Sequence, residues 1–256
     1  MGFFELSKEK RQKLVGKISS DIENDLSSGS SSYMEKYFSD EDAFFRKVAY
    51  LGLSRIFKND ESRLLDIIKH LNELIDSENH LIRQSVIYAA GEIGISSFEE
   101  IKHILIKGFS DTDNQVRYAV IGSLKRIGEK NPIPILKFAE EYITHPDEEV
   151  RKEICHGIEL RGRTHPEEIL PILKKLEFDK SRSVREMLIH VLGQISNKEE
   201  CLEKVISDLK KWTNKKLIKD ALEEIIQVQS QYMEFSSNSK SDVEKHIKKE
   251  FSDLFL

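Results

Sequence analysis

Apolar residues return along this chain in pairs four residues apart, and the pairs themselves return at a fixed interval. Val86 and Ala90, Val120 and Leu124, Ile154 and Ile158, Leu188 and Leu192, and Leu222 and Ile226 each stand three and seven residues after a basic residue. Those basic anchors are Arg46, Arg83, Arg117, Arg151, Arg185 and Lys219, separated by 37 residues once and then by 34 four times. A spacing of three and seven places each pair on one stripe of a helix, so the pattern predicts a series of helices with one buried face each. Between them lie other amphipathic stretches, at 98–109, 133–143, 166–176 and 201–212. Ser97 and Pro166 suit helix starts, and Gly94, Gly128 and Gly162 suit helix ends. The unit is helix, turn, helix, short loop. No stretch has the strict alternation of an amphipathic strand.

A fixed period of this length means stacked repeats that bury one another's apolar faces, because a single helical hairpin cannot cover its own. The expected fold is therefore all-α, a right-handed α-solenoid of about six helical hairpins with capping helices at both ends. Three segments are expected. Residues 1–32 hold an N-terminal helix (6–26) and a flexible Ser-rich break, 33–230 form the solenoid, and 231–256 hold a linker and a capping helix with Val243, Ile247, Phe251 and Leu254 on one side.

The residues "DNQVR" at 113–117 and "DEEVR" at 147–151, with "VIYAAGEIG" and "VIGSLKRIG" closing the same helices, resemble HEAT repeats over about 42–230. That resemblance implies an Asp–Arg ladder between successive repeats, with Arg117 and Arg151 holding the stack. It also implies a binding scaffold whose concave face takes a protein partner. "VRKEICHGIELRGRTHPEEILPILKKL" at 150–176 resembles the HEAT-like DNA alkylation repair glycosylases, which implies DNA binding or base excision as the alternative function. That family's groove tryptophans and catalytic acid have no counterpart here, since Trp212 is the only Trp and follows a different helix. The di-iron HEAT-repeat hydroxylases rely on His-Glu dipeptides, and this chain has none.

Positions one, five and eight after each anchor lie off the apolar stripe and are expected on the concave surface. They place Tyr88, Tyr118, Lys125, Lys152, His156, Glu159, Glu186 and His190 there as candidate binding residues. His156 and His190 occupy equivalent places in adjacent repeats, with Glu159 and Glu186 on the same faces, an arrangement that could gather metal ligands. A solvated groove is expected to be polar in any case, so no metal, no cofactor and no catalytic residue is assigned.

Composition sharpens this in one place. The 256 residues are 39% hydrophobic and 33% charged with a net charge of −5. That balance is too charged for a membrane span and too apolar for wholesale disorder. Residues 151–219 carry 16 Lys and Arg against 11 Asp and Glu, so the acidic total conceals a basic segment. Within it "LKKWTNKKLIK" at 209–219 sets Lys210, Lys211, Lys215 and Lys216 around Trp212, a combination that can neutralise phosphates and stack a base. Its plainer role is a solvated turn with Trp212 packed beneath it. Cys155 and Cys201 have no metal or disulfide spacing and are expected to be reduced and packed. A cytoplasmic location is expected.

Overall fold

The computed structural model describes residues 2–198, 200–231 and 240–254. Among them there is no strand, and the helices fall into two compact units, residues 1–130 and 131–256. The first unit contains α1 (Lys8–Ser28), α2 (Ser32–Phe38), α3 (Ala43–Asn59), α4 (Leu64–Leu74), α5 (His80–Ile93), α6 (Phe98–Phe109) and α7 (Asn114–Lys130). The second contains α8 (Pro132–Tyr142), α9 (Glu148–Gly157), α10 (Glu159–Gly162), α11 (Pro166–Lys174), α12 (Arg182–Ser196), α13 (Cys201–Leu209), α14 (Lys215–Gln231) and α15 (Lys240–Glu250). The anchors sit on the second helix of each hairpin. Within the first unit α3, α5 and α7 stack in order, and within the second α9, α12 and α14 do the same, so each unit is a run of α-solenoid.

The core is the stripe that the periodicity marks. Val86, Ala90, Val120, Ile154, Leu188, Leu192 and Leu222 are fully buried, and Leu124 and Ile158 are nearly so. Each such aliphatic side chain larger than Ala contributes about 1.5–3 kcal/mol by leaving water. The last repeat departs by one position: Ile226 is half-buried and Ile225 is fully buried. There α14 packs against α12 and also against α15, which turns its covered surface.

The anchoring arginines have two jobs. In each, Nη1 turns back to the loop that precedes its own helix. Arg83 donates to the Ser77 and Glu78 carbonyls at 2.8 and 3.0 Å, Arg151 to those of His145 and Pro146 at 2.7 and 2.9 Å, and Arg185 to those of Asp179 and Lys180 at 2.6 and 2.9 Å. The bond ties each helix to the loop before it and recurs with the repeat. The second job is the ladder. Arg83 grips Asp111 with Nε and Nη2 at 2.7 and 2.8 Å, and Arg151 grips Asp179 at 2.6 and 2.9 Å.

This corrects the expected ladder. Asp113 and Asp147 accept the amides of Gln115 and Glu149 at 2.7 and 3.0 Å, so they serve their own helix starts. The ladder acids stand two residues before that position, and Arg117 donates to the Asp111 carbonyl and to Asn114 without joining the ladder. Burial alone would raise the Asp111 and Asp179 carboxyls. The arginine bonds, with the amides of Asp113 and Ser181, outweigh it and hold both below the usual carboxylate range.

Gly94 caps α5 and Gly162 ends α10 as expected of helix-end glycines, while Gly128 lies inside α7 two residues from its end. Gly94 and Gly162 have no left-handed backbone, which among described residues occurs only at Gly29 and Glu200. Added Cβ atoms would lie 2.7 Å from Ile101 Cδ1 at Gly94 and 2.5 Å from Ile195 Cδ1 at Gly162, so the missing side chain permits close helix approach.

Both ends of the chain are covered by helices. Ile18, Ile22 and Leu26 of α1 are buried in the first unit, and the Asp25 carboxylate accepts the Met34 amide at 2.8 Å to start α2. Residues 27–32, expected as a flexible break, form a hydrogen-bonded corner: Gly29 has φ 73°, and Ser31 Oγ meets His70 Nδ1 at 2.7 Å. In the second unit Val243, Ile247 and Phe251 are buried and Leu254 is partly so. Of the linker expected within 231–256, residues 232–239 lie outside the described residues. Cys155 and Cys201 are free and buried.

Candidate functional site

In the first unit the off-stripe positions of α3, α5 and α7 border a cleft of about 420 Å³. Tyr50 and Tyr88 form its aromatic wall, stacked with ring centroids 5.3 Å apart. Gly91 and Gly122 also line it, and Lys47 and Arg126 supply positive charge at the edge. Arg126 Nη2 reaches Glu92 at 3.3 Å, and its Nε bonds the same carboxylate at 2.5 Å. Burial, then the neighbouring Tyr88 and Glu92, pushes the Tyr50 phenol up to about 12, and burial also raises Tyr88. Both therefore keep their protons at neutral pH. A second hollow of about 300 Å³ shares Lys47, Tyr50 and Tyr88 and extends the surface towards Arg46 and Gln84. Tyr118 is 63% exposed, while Lys125 is half-buried.

Tyr50, Lys47, Glu92 and Arg126 were not among the residues expected from sequence. Extending the off-stripe positions one repeat upstream reaches Lys47, but the 37-residue step moves the tyrosine from the fifth to the fourth position after the anchor. Glu92 and Arg126 stand 34 residues apart, and that repeat spacing was the available signal for their pairing.

In the second unit the two histidines do meet, with ring centroids 6.3 Å apart and edges to faces. His156 Nε2 lies 3.3 Å from Glu159, and His190 Nδ1 lies 3.7 Å from Glu224. Glu159 was expected to line the surface and is instead only 2% exposed. It is bonded by Arg163, whose guanidinium also reaches Gln194 at 2.8 Å. Lys152 is half-buried and paired with Glu149, and Glu186 pairs with Arg182 at 2.6 Å. The carboxylates that a shared ion would need are thus each held by an arginine. Among the described residues no group of three or more His, Cys, Asp or Glu is arranged to hold a metal ion.

The lysine-rich turn belongs to the C-terminal cover. Lys210 pairs with Glu250, Lys211 with Asp208 at 3.3 Å, and Lys215 with Asp253 at 3.5 Å. Trp212 is 5% exposed and its Nε1 donates to Asp208 at 3.0 Å. Of the two readings of Trp212, the packed turn fits that burial and base stacking does not. Lys216 lines a cleft of about 620 Å³ between the N-terminal halves of α12 and α14.

No helix among the described residues is long and apolar enough to cross a membrane. A search of curated protein sequences finds no match. The crystal structure of smu.31 from Streptococcus mutans UA159 is 19% identical, with a TM-score of 0.51, and the match covers 69% of this chain and 97% of that one. AlkD2 from Streptococcus mutans is 18% identical, with a TM-score of 0.50, over 75% of this chain and 100% of that one. These likenesses establish the fold. A HEAT-repeat family model matches residues 135–227, and the model for non-SMC mitotic condensation complex subunit 1 matches residues 11–168, more than half of the chain. The chain is thus a HEAT-repeat protein and belongs to the family described as non-SMC mitotic condensation complex subunit 1.

Proposed function

We propose that this chain is a noncatalytic scaffold that holds a protein partner on the face formed by the second helices of its repeats, in the cytoplasm. The observation that carries this reading is the open cleft of the first unit. Stacked tyrosines next to an arginine, with Tyr118 exposed nearby, are the side chains that dominate protein interfaces. They are held rigid by the stack, so little conformational freedom would be lost on binding. The family model points the same way, because a condensation complex subunit works within an assembly.

A nucleic-acid partner is the competing reading, and the excess of basic residues between 151 and 219 favours it. Against it, Lys210, Lys211 and Lys215 are already paired with acids, and Trp212 is covered. Affinity capture from the native cell, with and without nuclease, separates the two. The scaffold reading expects nuclease-resistant protein partners that are lost when Tyr88 and Tyr118 are both changed to Ala. Capture that disappears with nuclease, together with duplex DNA binding that weakens steeply with salt, would replace it with the nucleic-acid reading.

A further inference from the structure

The ladder contains a vacancy. Arg83 and Arg151 each close their outer fork, Nε and Nη2, on an aspartate 28 residues further along. The residue 28 after Arg185 is Thr213. Its amide and hydroxyl are turned towards Glu177, whose carboxylate also accepts the Asn214 amide at 2.6 Å. Arg185 keeps the loop-binding half of its role through Nη1. Its Nε and Nη2 have no acceptor among the described residues, and among the anchoring arginines only Arg185 lacks partners for both. The side chain lines the cleft of about 620 Å³ between α12 and α14.

The surroundings of that fork are mixed. Phe178, 67% exposed, Ile189 and Leu217 supply apolar wall, and Arg182 and Lys216 supply two further cations. Asp179, Glu186 and Asp220 also line the cleft. Asp179 is occupied by Arg151 and Glu186 by Arg182, which leaves Asp220 as the uncompensated acid. Three carboxylates in the wall disfavour the continuous charge of a phosphate backbone. A single carboxylate beside an apolar side chain meets the fork without that repulsion. The protein itself demonstrates the geometry twice, since Arg83 and Arg151 in the same register each hold an aspartate through two parallel bonds.

We infer that the α12/α14 cleft is a docking site for an extended peptide segment of the partner that carries a single Asp or Glu to close the Arg185 fork, with an adjacent apolar side chain against Phe178, Ile189 and Leu217. The inference rests on the protein-scaffold reading and names the chemistry of one contact within it. The partner's carboxylate completes the ladder step that the chain leaves open.

The test is fluorescence polarisation on the full chain with three labelled probes: a Gly-Ser peptide carrying one Asp-Leu step, its twin with Asn for that Asp, and a single-stranded oligothymidylate. The acid peptide is expected to bind about tenfold or more tighter than the Asn twin, because the fork meets charge rather than amide. Arg185→Lys keeps the cation and loses the fork, so it should weaken the acid peptide about five- to tenfold. Phe178→Ala alters an exposed side chain and should weaken the peptide with no change in melting temperature. Tyr88→Ala, in the other unit, should leave peptide binding as it was. Equal affinity for the two peptides, or affinity that survives both Arg185→Lys and Phe178→Ala, overturns the inference, as does an oligothymidylate that binds tighter than the acid peptide. Should captured partners depend on Tyr88 while the acid peptide fails, the scaffold reading survives and the cleft assignment falls.

Discussion

The two units solve the same stacking problem with one device and then diverge at the surface. Arg83–Asp111 in the first and Arg151–Asp179 in the second are the same bidentate bond at the same register, nearly identical in length and burial. The faces beside them have little in common. The first unit lines a cleft with half-buried stacked tyrosines, and the second has a chain of imidazole, carboxylate and guanidinium groups bonded to one another. The lesson is that register is set by what must be buried or paired between repeats, whereas an exposed position such as Tyr118, one residue after its anchor, carries no such duty. Function, on this scaffold, has to be sought in the differences between units.

The largest loss is expected in the core. Ile154→Ala removes a fully buried side chain from the second unit and should cost roughly 2–5 kcal/mol by denaturant melting. A change within error would mean that the repeat register assigned here is wrong. Asp179→Asn and Asp111→Asn should each cost about 1–3 kcal/mol, since each leaves a mostly buried arginine fork without its charge partner. Unequal losses at the two sites would show that the matching geometry conceals different energies.

Acid sharpens the same point. Both ladder carboxyls are held below their ordinary value, so the stability they contribute is fully present above about pH 4 and declines as pH falls through their lowered pKa values. Asp111→Asn should flatten the acid limb of the melting profile relative to the unaltered chain. The smallest effect is expected at the exposed face: Tyr118→Ala and Lys216→Ala should each move stability by no more than about 0.5 kcal/mol, so any loss of partner or peptide binding would belong to the surface.

Much of the fold was legible because burial has a period. The pairs from Val86 to Leu222 are buried where a helical stripe requires them, and only Ile226 slips, at the repeat where α15 adds a second contact. The ladder was half legible. Its arginines repeat, but an aspartate at the helix start and one two residues earlier look alike in a sequence, and only the backbone direction decides which caps and which pairs. The surface was least legible. Glu159 is buried because Arg163, one turn further, and His156 both reach it, and Trp212 is covered because its indole is held by Asp208 beneath a lysine-rich turn. The Arg185 vacancy could be read only after the filled forks had been seen.

Cys155 has a chemical consequence of its own. It is fully enclosed between repeats, and burial pushes its thiol well above the ordinary range, so the thiolate that alkylating reagents and peroxides attack is scarcely populated in the folded chain. Reaction at this sulfur must wait for the second unit to open. Its labelling rate with iodoacetamide would therefore report opening of that unit, and oxidative damage at Cys155 would mark molecules that had already unfolded there.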